Sequence, residues 1–232
     1  LNVERSAFFE EALLVTYRKT ADQENLPPVG GSGWMSILAS RIYRAQLGNE
    51  PMKDFRWWNE TVIGPSLGGG DVTRNGLMNE PVKTLDDRNP DRTDILHEYF
   101  VDFDRFNEFL SVCREVIPAS YQEFLNVTLR YVATDAESTL SFAPRPRIAA
   151  VMSFSQELTE RAEADMARMT EILIDRIVAI GGAYYLPYRP HARVDQLVAA
   201  YPKVPAFVEA KRRIDPDLIL RNNFWDTYLR AL

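Results

Sequence analysis

Residues Glu157–Pro187, ELTERAEADMARMTEILIDRIVAIGGAYYLP, decide the fold. Ala162, Met166, Met169, Leu173, Ile177 and Ile180 recur at three- and four-residue spacing, the apolar stripe of a helix packed on one side. Gly181 and Gly182 stop it, because glycine enters the left-handed conformation that closes a helix without steric cost. AYYLP follows at once, short, aromatic and apolar, and reads as a strand. A long helix that feeds straight into a strand asks for a sheet on which both can pack.

The residues upstream supply that sheet. TDILHEYFV (Thr93–Val101) alternates as a strand, and LNVTLRYVAT (Leu125–Thr134) and RIAAVMSFS (Arg147–Ser155) are two more. Between the first and second, DFDRFNEFLSVCREVI predicts an amphipathic helix. Phe106, Phe109, Leu110, Cys113 and Ile117 form its stripe, with Asp102 or Asp104 as N-cap. The order from Thr93 to Pro187 is therefore β-α-β-β-α-β. The expected fold class is α+β: a ferredoxin-like antiparallel sheet with both helices on one face. RVDQLVAAYP and PAFVEAKRRID predict two further helices, and LRNNFWDTYLRAL a C-terminal helical tail.

The first ninety residues are less regular. EALLVTY (Glu11–Tyr17) predicts a strand and WMSILASRIYRAQLG (Trp34–Gly48) a helix. PMKDFRWWNETVIG (Pro51–Gly64) predicts a second helix, with Pro51 in its first turn. A long loop then runs to Pro90. The expected division is a variable part over 1–92, a ferredoxin-like domain over 93–213, and a tail over 214–232.

Composition narrows the function classes. Of 232 residues, 46% are hydrophobic and 26% charged, an ordinary soluble balance. A formal charge of -6 with no basic stripe argues against nucleic acid as a partner. Cys113 is the single cysteine, so no intrachain disulfide or thiolate metal site is expected, and EFLSVCREV reads as a buried helix position. His97 and His191 are too far apart in sequence to form a metal motif, and no metal is expected. The apolar runs are too short for a transmembrane segment. No signal-peptide pattern is present at Leu1; the compartment stays open, with the cytoplasm favoured over the periplasm. GGSG (Gly30–Gly33) and GGG (Gly68–Gly70) lack the spacing of a P-loop or dinucleotide fingerprint and read as loops.

Candidate site residues come from the strands. In LNVTLRYV, Leu125, Val127, Leu129 and Tyr131 point one way, while Asn126, Thr128 and Arg130 point the other. Glu98 lies inside a strand, where a charge must be exposed, paired or functional. In GGAYYLPYRPHAR (Gly181–Arg193), Tyr184 and Tyr185 straddle the last strand, one in the core and one on the free face. Tyr188, Arg189 and His191 follow where the strand becomes a loop. Aromatic and cationic groups at a sheet's rim suit a polar, hydroxylated ligand.

Three stretches, LHEYFVDFDRFNEFL, LNVTLRYVATD and Gly181–Leu229, resemble the C-terminal half of FAD-linked oxidases of the vanillyl-alcohol oxidase type. Within that type the likeness is nearest to sugar-lactone and alditol oxidases and decaprenylphosphoryl-ribose oxidases. The resemblance implies a cap domain that covers a flavin held mainly by an N-terminal flavin domain or subunit, the implied partner. It implies a small polar hydroxylated substrate, a polyol, sugar or aldonolactone, whose CH–OH carbon gives up hydride to FAD. It also implies that Arg130 faces the flavin and that Glu98 hydrogen-bonds a substrate hydroxyl. Tyr188 and His191 both fall where relatives carry a site lysine, and Tyr185, Arg189 and Thr128 would contact substrate. Thr128 stands where many sugar oxidases have a glutamate, so the base lies elsewhere or the substrate class differs.

In the tail, Asn222 and Asn223 would either touch the cofactor or bridge to the flavin domain, leaving apolar surface around Phe224 and Trp225 exposed in this chain. With no pyrophosphate loop and no initiator methionine, the chain is expected to be a fragment or a separate subunit. The alternative from another class is a non-catalytic ferredoxin-like ligand-binding or protein-interaction domain that uses the same free sheet face.

Overall fold

The computed structural model describes residues 1–26, 41–67, 71–78 and 89–232. The chain divides into two compact units, Leu1–Pro90 and Asp91–Leu232. Residues 214–232, expected as a separate tail, belong to the second.

In the first unit, α1 (Glu50–Trp58) begins with the Asn49 side chain accepting the Met52 N–H and with Pro51 in the first turn. It continues through a π-helical turn, Asn59–Ile63, into α2 (Gly64–Leu67), and α3 spans Arg74–Met78. Residues 41–45 are helical; the start of the helix expected from Trp34 lies outside the described residues, as do both glycine clusters. The strand expected over Glu11–Tyr17 does not form. Residues 11–20 have no regular structure, and Leu14, Val15 and Tyr17 are exposed. A strand persists where a neighbour takes up its N–H and C=O groups. Among the described residues none does so for 13–17.

The second unit carries the sheet. β1 (Arg92–Val101), β2 (Glu123–Val132), β3 (Arg147–Glu157) and β4 (Ala183–Tyr184) lie side by side in the order β2-β3-β1-β4, each neighbouring pair antiparallel. Helix α4 (Phe106–Val116) links β1 to β2, and α5 (Glu160–Ala179) links β3 to β4. This is the split β-α-β-β-α-β arrangement. Helices α6 (Val194–Ala200) and α7 (Val204–Ile214) follow, then a π-helical turn, Trp225–Leu229.

Register decides what each face holds. Ile95 pairs with Phe154, His97 with Met152, and Tyr99 with Ala150 and Tyr184. This row meets the helices: Phe109, Val112, Cys113 and Val116 of α4, and Met166, Met169, Leu173 and Ile177 of α5, are all buried. Each fully buried large side chain contributes about 1.5–3 kcal/mol relative to exposure. Burial pushes the Cys113 thiol well above its ordinary range, the setting of a packing residue rather than a nucleophile. Asp102 precedes the first helical turn but does not cap it. Its carboxylate is taken by Arg145 and Arg147 at the start of β3.

Two glycines join α5 to β4. Gly181 takes a φ of 80°, and a Cβ on Gly182 would stand 2.6 Å from Ile177 Cγ2 and 2.9 Å from the Phe100 carbonyl. The close approach lets β4 reach the sheet edge directly from the helix.

The tail corrects one expectation. Trp225, Tyr228 and Leu229 are buried, and Phe224 is half-buried with its ring centroid 5.4 Å from that of Tyr228. Asn222 Oδ1 accepts the Trp225 N–H at 3.0 Å. This bond helps to fold the aromatic residues inward. The exposed aliphatic side chains lie just before them, at Ile214, Ile219 and Leu220.

Candidate functional site

The sheet face turned away from the helices holds three cross-strand rows. Leu96, Ser153 and Asn126 form the first, Glu98, Val151 and Thr128 the second, and Phe100, Ala149 and Arg130 the third. The middle residue of each row belongs to β3 and is small. Side chains of β1 and β2 therefore stand on either side of a shallow trough, two strand spacings or roughly 10 Å across. Thr128 and Arg130 are exposed and Glu98 is half-buried.

The charged groups of this trough are near each other but not joined. Burial raises the Glu98 carboxyl above its ordinary range, and the Arg130 guanidinium opposes that rise. Burial also raises the Tyr188 hydroxyl, the negative charge of Glu98 adds to it, and Arg130 opposes it. Among the described residues, neither the Glu98 carboxylate nor the Arg130 guanidinium makes a hydrogen bond or direct ion pair. A half-buried carboxylate in that state costs free energy until a donor reaches it.

An aromatic wall closes one end. The Tyr185 N–H donates to the Glu98 carbonyl at 2.9 Å, which sets Tyr185 beside Glu98 at the end of β4. Its ring stands edge-on to Tyr188 at 5.0 Å and to Phe142 at 5.9 Å. Phe142 in turn stacks on Phe100 at 4.1 Å. Phe142 comes from the loop between β2 and β3, where no periodicity marks it, and it was not anticipated from sequence.

The structure thus brings Glu98, Arg130, Thr128, Tyr185 and Tyr188 together. It does not bring Arg189 and His191 with them. Both turn to the first turn of α5, where Arg189 pairs with Glu163 and His191 Nε2 lies 2.7 Å from a Glu163 oxygen. Burial would raise the Glu163 carboxyl, but hydrogen bonds from Gln156 and His191 and the nearby cations hold it below its ordinary range. The carboxylate of Glu163 outcompetes the trough for both side chains. Tyr188 therefore faces the trough and His191 does not. Asn222 is occupied as a cap, and Asn223 is exposed.

A separate cavity of about 470 Å³ lies between the β2–β3 loop and the Gly181–Gly182 turn, bordered by Arg147, Tyr201 and Lys203. Its buried guanidinium is already committed to Asp102, the Phe142 carbonyl and the Gly181 carbonyl. The trough, with unmatched groups, is the stronger candidate. No group of three or more His, Cys, Asp or Glu among the described residues is arranged to hold a metal ion. No described helix is long and apolar enough to cross a membrane.

Fold and site together define an α+β sandwich of one antiparallel sheet and two helices, with a polar trough on the sheet's other face. Compared with known proteins, the chain matches no family model and no curated protein.

Proposed function

We propose that this chain is the substrate-facing cap of an FAD-dependent oxidoreductase that oxidises a CH–OH group of a polyol, sugar or aldonolactone. The supporting observation is the trough, where Glu98, Arg130, Tyr185 and Tyr188 converge over β3 residues no larger than valine, their side chains making no hydrogen bond among the described residues. The donor set fits part of the cofactor. An exposed guanidinium without an ion pair suits a ring edge that gains negative charge. No glycine-rich helix N-terminus opens onto the face among the described residues, so a second domain would hold the pyrophosphate. When bound, FAD would supply the two-electron acceptor for the hydride.

The chain's own residues would do the positioning. Glu98 would accept a hydrogen bond from the reacting hydroxyl, and its raised pKa makes it a better proton acceptor than an ordinary carboxylate. Tyr188 would donate to a neighbouring oxygen of the substrate. Tyr185 and Phe142 would pack along the carbon skeleton and exclude water, holding the carbinol carbon in place. Arg130 would counter the negative charge that grows as the proton leaves.

Calorimetric titration with alditols, sugars and aldonolactones tests the binding half of this reading. Spectroscopy with FAD and a flavin-binding partner domain tests the redox half. The expected result is binding that Glu98→Gln abolishes and Arg130→Met weakens, with substrate-dependent bleaching of the flavin band. Binding without bleaching would assign the face to a non-catalytic binding module. No binding of any hydroxylated ligand would remove the trough from function altogether.

A further inference from the structure

Residues 186–192, which follow β4, pass from one face of the sheet to the other. Just before them the Tyr185 N–H donates to the Glu98 carbonyl at 2.9 Å, and the Tyr188 ring meets that of Tyr185 at 5.0 Å on the trough side. Arg189 and His191 reach the helix-covered side, where His97 feels the charges of both. There they end on one carboxylate. Arg189 pairs with Glu163, in the first turn of α5, and His191 Nε2 lies 2.7 Å from the other Glu163 oxygen. Gln156, buried near the end of β3, donates to Glu163 at 2.8 Å and ties that carboxylate to the sheet.

The backbone does little to fix this segment. β4 is paired over two residues only, and no backbone-to-backbone hydrogen bond joins residues 186–192 to another element among the described residues. The sequence makes the segment stiff nonetheless. Pro187 and Pro190 flank Tyr188 and Arg189, each locking its own φ and driving the residue before it into extended backbone. Neighbouring side chains of extended backbone take opposite sides, so a segment held at Arg189 is held at Tyr188 as well. His191 adds to the hold. Its side chain is 9% exposed, and its buried Nδ1 has no partner among the described residues. A proton on Nδ1 would find no acceptor, so the ring carries it on Nε2 and donates it to Glu163.

We propose that Glu163 is the positioning residue for Tyr188, latching the segment through Arg189 and His191 so that the Tyr188 hydroxyl stays over the trough. The inference rests on the trough as the site only for what Tyr188 does there, which is to donate to a substrate oxygen. Glu163 itself stands on the other face of the sheet. A half-exposed ion pair with Arg189 alone would hold little. Here the same carboxylate also accepts from His191 and from buried Gln156, and a charged acceptor holds its donors about twice as strongly as a neutral one. Removing it frees the far end of the segment and leaves the Tyr185 bond at the near end.

Hydrogen exchange, together with NMR of the full chain carrying labelled tyrosine, tests the proposal without any ligand. In Glu163→Ala the Tyr185 and His191 amides, each hydrogen-bonded in the parent, should exchange about tenfold faster. The contact between the Tyr185 and Tyr188 rings should be lost. Amides of the β1–β3 ladder and the unfolding midpoint should stay near the parent's, because the Glu163 side chain is 47% exposed. Arg189→Met should speed the same two amides about threefold, and should add nothing to Glu163→Ala, since both remove one pair. The proposal is overturned if exchange and the ring contact survive Glu163→Ala, or if the two substitutions add. It is equally overturned if the β1–β3 ladder loosens as much as the segment, which would make Glu163 a support of the whole fold. A parent chain that binds no alditol, sugar or aldonolactone would overturn the function proposed above, while the exchange result would still decide the latch.

Discussion

On the helix-covered face of β1, His97 is buried and fully satisfied; on the opposite face, one residue along, Glu98 is half-buried and has no partner among the described residues. The Thr170 hydroxyl donates to the Met166 carbonyl at 2.7 Å, so its oxygen is left to accept from His97 Nε2 at 3.5 Å. The Tyr99 hydroxyl then donates to Nδ1 at 3.1 Å. These bonds specify a neutral ring protonated at Nε2. Among the described residues nothing comparable surrounds the Glu98 carboxylate. Burial with partners marks a side chain held for stability, and burial without them marks one that waits for a ligand.

The comparison can be broken by substitution. Phe154, wholly buried with its ring centroid 4.9 Å from those of His97 and Phe124, belongs to the satisfied face. Phe154→Ala should cost about 3–5 kcal/mol in denaturant unfolding. His97 comes next. Burial drops its pKa from 6.5 to about 3, with the charges of His191 and Arg189 adding to the fall. Between those values the unfolded chain binds a proton that the folded chain does not. The His97 contribution is therefore complete above about pH 6.5 and is lost as pH falls toward 3, on the order of a few kcal/mol. His97→Gln should flatten that acid limb in pH-dependent unfolding. Gly182→Ala, which forces a methyl against Ile177 and the Phe100 carbonyl, should cost about 1–3 kcal/mol.

The smallest stability effects belong to the trough. Arg130→Met should change unfolding free energy by no more than about 0.5 kcal/mol. If it unfolds the chain instead, the distinction between the faces fails. Ligand binding that depends on ionised Glu98 should rise with pH through a midpoint above the ordinary carboxylate range, since burial favours the protonated form. Glu98→Gln should erase that rise with little change in folding.

Most of the second unit was legible in the chain because its signals are local. The stripe of Met166, Met169, Leu173 and Ile177 and the glycine stop at Gly181 do not depend on distant residues, and the alternation through Val127 and Arg130 assigns sides once the helices are placed. What was not legible depends on partners far along the chain. Arg189 and His191 turn away from the trough because Glu163, 26 and 28 residues earlier, holds them. Phe142 joins the aromatic wall because the β2–β3 loop folds back over Phe100. Trp225 is buried by a π-helical turn that no local pattern announces. The bulge between Phe124 and Asn126 absorbs Leu125, so alternation fails there too. At Glu11–Tyr17 the local signal was present, but among the described residues no strand lies beside it.

Strand β4 keeps only Ala183 and Tyr184 in register with β1, yet Tyr185 and Tyr188 hang from its end. The part of the candidate site that carries Tyr185 and Tyr188 is thus fastened to the sheet by its shortest seam, whereas β1 and β3 are paired over ten positions. Backbone amides from Tyr185 to His191 should trade deuterium with solvent long before those of the central strands, through local opening alone. An occupant of the trough would slow that exchange, so the protein carries its own label-free occupancy gauge.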